Sequence, residues 1–183
     1  MKPSPIPINT ELCLQPPAPD QAREVFQLLE LNREFLSLWL FGMPAIRTAE
    51  DARRFLFDAQ RFNEGGQRCT FVIYFRGRVA GLIALVAINW QHHSAELGFW
   101  LSQHLQGQGI ISKSCHALLH YAFEQLCLNR IFLQATAHNQ RSLAVARRLR
   151  MAEEGRLRQA LRLNNTYHDL HIFSILRKDW KKS

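Results

Sequence analysis

The residues best suited to chemistry lie in one loop, Gln106-Gly107-Gln108-Gly109-Ile110-Ile111-Ser112. Its glycines leave room for backbone N–H groups to converge. Apolar residues recur at helical spacing just beyond it, through Ile111, Cys115, Leu118, Leu119, Ala122 and Leu126, so the loop opens a helix whose N-terminal partial charge favours an anion such as a pyrophosphate. An ordinary strand-to-helix turn has the same spacing. Two phosphate motifs are excluded: Ser112 stands where a dinucleotide fingerprint needs its third glycine, and no Gly-Lys-Ser/Thr follows for a P-loop. His116 and His120, four apart on the helix, lack the third ligand of a metal site, and His168 and His171 have the odd spacing that puts strand residues on opposite faces. Cys13, Cys69, Cys115 and Cys127 form no Cys-x-x-Cys pair, which argues against a zinc knuckle or a disulfide framework and for reduced, mostly buried thiols.

The elements around the loop follow from periodicity. Glu11 to Leu14 reads as a short strand, and Asp20 as a cap for a helix burying Val25, Phe26, Leu28 and Leu29. A broken apolar stretch from Leu31 to Pro44 includes Phe35, Leu36, Trp39, Phe41 and Met43. Thr48, with Asp51 three residues on, predicts a capped helix over Ala49 to Phe62 that ends at Gly65-Gly66. Cys69 to Phe75 and Val79 to Ile88 read as a hairpin turning at Arg76-Gly77-Arg78. Glu96 to Ser102 is a third central strand, with Gly98 admitting a close approach, and it runs into the loop. Ile131 to Ala137 is a strand, a helix opens near Asn139 carrying Leu143, Ala146 and Leu149, and Gly155 to Leu163 and Tyr167 to Leu176 form a hairpin around Asn164-Asn165.

The chain of 183 residues suits one domain, with a core over about 11–178 and no internal repeat or linker. Prolines interrupt Met1 to Pro7 where a signal peptide needs an apolar run, and Val79 to Ile88 falls short of the ~20 residues that span a bilayer, so a soluble, cytoplasmic protein with no membrane partner is expected. The net charge of +8 attracts anions without choosing among nucleic acid, coenzyme phosphates, acidic protein or an anionic membrane.

The run Ala95-Glu96-Leu97-Gly98-Phe99-Trp100-Leu101, followed by Gln106-Gly107-Gln108-Gly109-Ile110, resembles the coenzyme-A signature of the GCN5-related N-acetyltransferase superfamily, and the order of elements agrees. Within it the chain resembles the ribosomal-protein N-acetyltransferases of the RimL/RimJ type, in Gln-Gly-Gln-Gly-Ile-Ile, in Asn139 followed by Ser142, and in Asn32, Leu36, Trp39, Pro44, Asn164, Tyr167 and Asp169. Arg150-Met151 departs from the usual Gly-Phe, and Leu161-Arg162 occupies a stretch where relatives can carry an acidic residue near the acceptor.

The resemblance implies an α/β (α+β) fold: a mixed sheet of about seven strands, splayed between the fourth and fifth, with about four helices. It further implies acetyl-CoA as cosubstrate without a metal. Phe99, Trp100 and Leu101 would pair with the pantetheine arm, the amides of Gln106, Gly107, Gln108, Gly109, Ile110, Ile111 and Ser112 would hold the pyrophosphate, and Asn139 would bind the coenzyme. A backbone N–H near Trp100 would steady the oxyanion. Ser142 is the matched acid for the leaving thiolate, or else a helix-start serine bonded to backbone; Glu96 is the candidate base, direct or through water, or else a salt-bridge partner. The expected acceptor is the N-terminal serine of the acidic ribosomal stalk protein, drawn by the seven arginines between Arg141 and Arg162. The alternatives are acetylation of a small amine or antibiotic, and a non-catalytic nucleic-acid-binding module, which the coenzyme-like loop disfavours. A homodimer is compatible with the resemblance.

Overall fold

The computed structural model describes residues 3–40, 45–163 and 165–180; Phe41, Met43, Pro44 and Asn164, used above, lie outside the described residues. The eight-stranded sheet runs β1-β2-β3-β4-β5-β6-β8-β7. β1 (Ile6–Pro7) pairs antiparallel with β2 (Leu12–Gln15) and is the strand beyond the seven expected. A 3₁₀ turn, Pro19–Gln21, leads into α1 (Ala22–Leu31). Asp20 does not cap it. Gln21 instead turns its Oε1 back to accept the N–H of extended Ala18 at 3.0 Å, leaving Asp20 inside the turn.

α2 (Arg33–Ser37) is short, and α3 (Ala49–Glu64) starts from the predicted box: Asp51 N–H donates to Thr48 Oγ1 at 3.1 Å, and Thr48 N–H to Asp51 Oδ2 at 2.9 Å. The Thr48 hydroxyl, ahead of the Arg47 backbone, holds the Asp51 carboxyl below its usual range. At the other end of α3, buried Asn63 donates Nδ2–H to the Thr70 carbonyl at 2.9 Å and accepts Thr70 N–H at 2.8 Å. Asn63→Ala strands a buried donor and acceptor of β3 and is expected to cost about 3 kcal/mol, read as a lower urea midpoint at constant slope.

β3 (Cys69–Phe75) turns through Arg76 and Gly77, both at positive φ (52° and 75°), into β4 (Arg78–Asn89), the geometry of a tight hairpin. β5 (Ser94–Leu101) is antiparallel to β4; α4 (Ile110–Glu124), β6 (Arg130–Thr136), α5 (Gln140–Arg148), β7 (Ala152–Leu163), β8 (Thr166–Leu176) and the short α6 (Arg177–Trp180) complete the chain. Among the described residues the six α-helices exceed the four expected by the short pieces α2 and α6, too short to declare a period in the sequence. The hairpin β7–β8 carries a bulge between Leu157 and Leu161, where Gln159 N–H donates to Asp169 Oδ1 at 2.7 Å. Among the described residues no helix is long and apolar enough to cross a membrane.

The helices pack on opposite faces. α4 and α5 lay Leu118, Leu119 and Ala146 against Ile83, Leu97 and Ile131, while α1, α2 and α3 lay Val25, Leu36 and Leu56 against Val72 and Leu82. Asn32, 3% exposed between α1 and α2, ties this second layer to the end of β5: its Oδ1 accepts from Gln103 N–H at 2.8 Å and Ser102 Oγ at 3.2 Å.

The feature that matters for function is a fork. β5 and β6 run parallel and pair only at Ser94 with Arg130, Ala95 with Ile131 and Glu96 with Phe132. Past Glu96, β5 follows β4 as far as Leu101 opposite Gly81, and β6 follows β8 as far as Thr136 opposite Leu170. With the two-residue β1 left out, this is the expected splay of the fourth and fifth strands.

Candidate active site

The fork leaves backbone hydrogen-bonding groups without a strand partner. Ser102 N–H donates to Ala80 of β4 at 2.9 Å, whereas the His93 carbonyl accepts from Asn129 at 2.7 Å on the β6 side. Main-chain groups alternate along a strand, so odd-numbered residues of β5 face β6. Beyond Glu96 that direction is open, and Phe99 and Leu101 present their backbone to the gap, while Trp100 faces β4.

A cavity of about 630 Å³ occupies the gap. It is lined by Phe99, Trp100, Leu101, Gln106, Gly107, Gly109, Ile110, Ile111, Ser112, Asn139 and Ser142, which brings together all but two of the residues singled out from the sequence. Gln108 is exposed and outside the lining. Glu96 is also outside it, at the crotch of the fork and four residues from Trp100, about 13 Å along an extended strand.

The glycine loop suits an incoming anion. Gly107 and Gly109 have φ of 78° and 75°, and a Cβ built on either would meet nothing within 4 Å. The conformation favours glycine, and the space beside it is free. Gly109 begins α4 with no side-chain cap, so the first N–H groups of the helix have no side-chain acceptor at that position. Neither α4 nor α5 carries an acidic residue in its first turn, whereas α1 has Glu24 and α3 has Glu50 and Asp51. Lys113 and Arg148 line the cavity at the loop, and Arg148 Nε–H donates to Ser112 Oγ at 3.0 Å. The buried Gln106 Oε1 has no donor among the described residues. Positive walls, free helix amides and an unsatisfied acceptor fit a long phosphorylated molecule with N–H or O–H donors, which is the chemistry of a coenzyme A thioester.

On the opposite wall Asn139 caps α5 by accepting Ser142 N–H on Oδ1 at 3.1 Å. That carbonyl is therefore engaged, and the Asn139 amide Nδ2 is left for a ligand. The Ser142 hydroxyl makes no hydrogen bond among the described residues, unlike the backbone-bonded serine weighed from the sequence. Glu96 is more than half buried and forms no ion pair among the described residues; burial raises its carboxyl above the usual range. By alternation its side chain shares the face of Trp100, the side covered by α1 to α3.

The basic stretch from Arg141 to Arg162 is not the single acceptor-steering patch expected. Arg141 and Arg148 line the cavity, and Arg156 pairs with Asp169 at 3.3 Å. Sequence reasoning missed Phe35, Lys113, Arg141 and Arg148 as lining residues; the seven-residue interval between Arg141 and Arg148, two turns on one helix face, is the signal that could have found the last two. Of the histidines, His116 packs its ring 4.5 Å from that of Trp180, and His171 Nδ1 lies 2.8 Å from Glu153. Cys69 and Cys115 are buried, which pushes the Cys69 thiol up to about 12, but Cys127 is exposed and Cys13 half-buried.

A family model for the acetyltransferase (GNAT) domain matches residues 11–152. The putative ribosomal N-acetyltransferase YdaF of Bacillus subtilis (strain 168) is 30% identical over 175 residues, covering 95% of this chain and 96% of that one. The ribosomal-protein-serine acetyltransferase of Escherichia coli (strain K12) is 29% identical over 169 residues, covering 92% and 94%. A solved structure of RimL, a ribosomal L7/L12 alpha-N-protein acetyltransferase in complex with coenzyme A, superposes with a TM-score of 0.91 at 28% identity, covering 94% of this chain and 97% of that one.

Proposed function

We propose, for a chain that belongs to the acetyltransferase (GNAT) family and is an acetyl-CoA-dependent N-acetyltransferase, that the amine it modifies is the N-terminal serine α-amino group of an acidic ribosomal protein. The observation that carries this reading is the end of the fork away from the glycine loop: beyond Lys113 and Arg148 at the phosphate end, the lining holds Arg141 and no aspartate or glutamate among the described residues. A positive cleft favours an acidic acceptor and disfavours a polycationic small amine. The names of the two full-length relatives support the same direction.

When bound, acetyl-CoA supplies an acyl group activated as a thioester. The amides from Gln106 to Ser112, across the glycine loop and the start of α4, with Lys113 and Arg148, would hold its pyrophosphate; the open backbone of Phe99 and Leu101 would align its arm; the Asn139 Nδ2 would add a donor. A backbone N–H of Phe99 or Leu101 serves the developing oxyanion. Ser142 donates its hydroxyl proton to the leaving sulfur, from a helix start whose backbone is held by the Asn139 cap. Glu96 accepts the proton of the attacking amine through water, because it lies outside the cavity lining and about 10 Å along β5 from Phe99. An α-amino group, with a reference pKa of ~8 against ~10.4 for lysine, needs little help from such a remote base.

The test is intact-mass analysis of an acidic stalk protein with a free N-terminal serine, incubated with enzyme and acetyl-CoA. One acetyl group mapped to that serine is expected. Turnover of small amines with an unmodified stalk protein would overturn the acceptor and leave the enzyme class standing. With the good acceptor, Ser142→Ala is expected to lower kcat by about tenfold to a hundredfold while leaving the acetyl-CoA dissociation constant within a few-fold.

A further inference from the structure

α2 and α5 cover opposite faces of the sheet, yet one pair of their side chains meets: the Arg141 guanidinium carbon lies 5.7 Å from the centre of the Phe35 ring. Both residues line the cavity. They can touch only because β5 and β6 have parted, so their contact marks the place where the gap passes through the sheet and opens toward the α1–α3 side.

We propose that Arg141 is the specificity-determining residue for the acceptor, binding a carboxylate that follows the reacting amine; this rests on the acidic-acceptor reading above. Three observations carry it. First, the phosphate end of the cleft is fixed by the glycine loop and by Arg148, hydrogen-bonded to Ser112, and Arg141 lies seven residues back along α5, about 10 Å away at 1.5 Å per residue. It stands at the other end, one residue from Ser142. Second, α4 and its glycine loop lie on one face, so an acceptor meeting the acyl group must come through the opposite opening, where Arg141 stacks on Phe35. Third, Arg141 occupies the first turn of α5, where the helix dipole disfavours a cation, and forms no ion pair among the described residues. Among the described residues its partner is the aromatic face of Phe35, which fixes the guanidinium without consuming its N–H donors. A planar fork held with free donors is arranged for a carboxylate.

The experiment compares kcat/KM for two peptides with an N-terminal serine, one followed by aspartate and glutamate, the other by asparagine and glutamine in the same positions. The ratio of the two values is unaffected by the fraction of enzyme folded or by coenzyme affinity. Wild type is expected to prefer the acidic peptide by about tenfold or more. In Arg141→Gln the ratio is expected to fall close to one, and in Arg141→Glu to invert; Arg141→Lys, which keeps the charge and loses the fork, retains part of it. A ratio unchanged in Arg141→Gln and Arg141→Glu, with wild type selective, overturns the assignment of Arg141 and leaves the acidic acceptor intact. A wild type that does not distinguish the peptides overturns both.

Discussion

Glu96→Gln is expected to melt above the wild type near neutral pH while its kcat falls about a hundredfold, the combination that a half-buried, working carboxylate with no ion-pair partner among the described residues produces. Burial holds the Glu96 carboxyl above its usual range, so the folded protein retains a proton that the unfolded chain gives up. Ionisation of Glu96 therefore costs stability. The cost is absent below the ordinary carboxylate range, grows as pH rises toward the raised pKa, and is full above it. Glutamine removes the cost, and its stabilising effect is expected to fade as pH falls below ~4.3. Activity runs the other way: kcat of the wild type falls as pH falls through the raised pKa, because only the carboxylate accepts a proton. Thermal melts and kcat profiles over the same pH range check both limbs. A Glu96→Gln protein that melts below the wild type near neutral pH would identify Glu96 as a structural partner instead.

Gly81→Ala is expected to cost about 3 kcal/mol of folding stability and to weaken acetyl-CoA binding as well. A Cβ at Gly81 would lie 2.1 Å from the Trp100 carbonyl oxygen and 3.0 Å from Leu101 Cα, so a strand must move. β4 is held on its other side by β3, and the displacement falls on Trp100 and Leu101, beside the open backbone that would align the coenzyme. Gly98→Ala is the control. A Cβ there meets nothing within 4 Å, and Gly98 has no positive φ. Urea unfolding and coenzyme titration of both variants are expected to separate them; similar midpoints for the two would refute the close approach at Gly81.

The contrast between these glycines shows where the sequence was readable. Gly98 interrupts an apolar strand and has open space beside it, whereas the glycine crowded by a neighbouring strand is Gly81, which only the β4–β5 register reveals. Local chemistry was legible where the partners are neighbours: the Thr48 and Asp51 box, the Arg76-Gly77 turn, the helix start near Asn139 and the glycine loop opening α4 all agree with the structure. The fork was legible from the resemblance. Features decided by distant partners were not. β1 exists because β2 offers it a free edge, despite prolines that argue against a strand. The basic stretch looked uniform along the chain, and the fold divided it, sending Arg141 and Arg148 into the cleft and Arg156 to Asp169 on β8. Glu96 was grouped with the coenzyme strand by sequence proximity, and a strand's rise carries it away from the loop while burial alters its acidity.

The central claim is that the fork between β5 and β6, with its glycine loop, holds the coenzyme, and the most direct test is calorimetric titration of acetyl-CoA into the wild type and Gly107→Val. The space beside Gly107 is empty within 4 Å, so a side chain there is sensed by a ligand far more than by the protein, whose own penalty is the strain of φ 78°, about 1–2 kcal/mol. Binding at one site in the wild type, weakened by about tenfold or more in a variant that still folds, is the predicted result. Equal affinities would mean that the coenzyme is held elsewhere, and would contradict the assignment of the cleft.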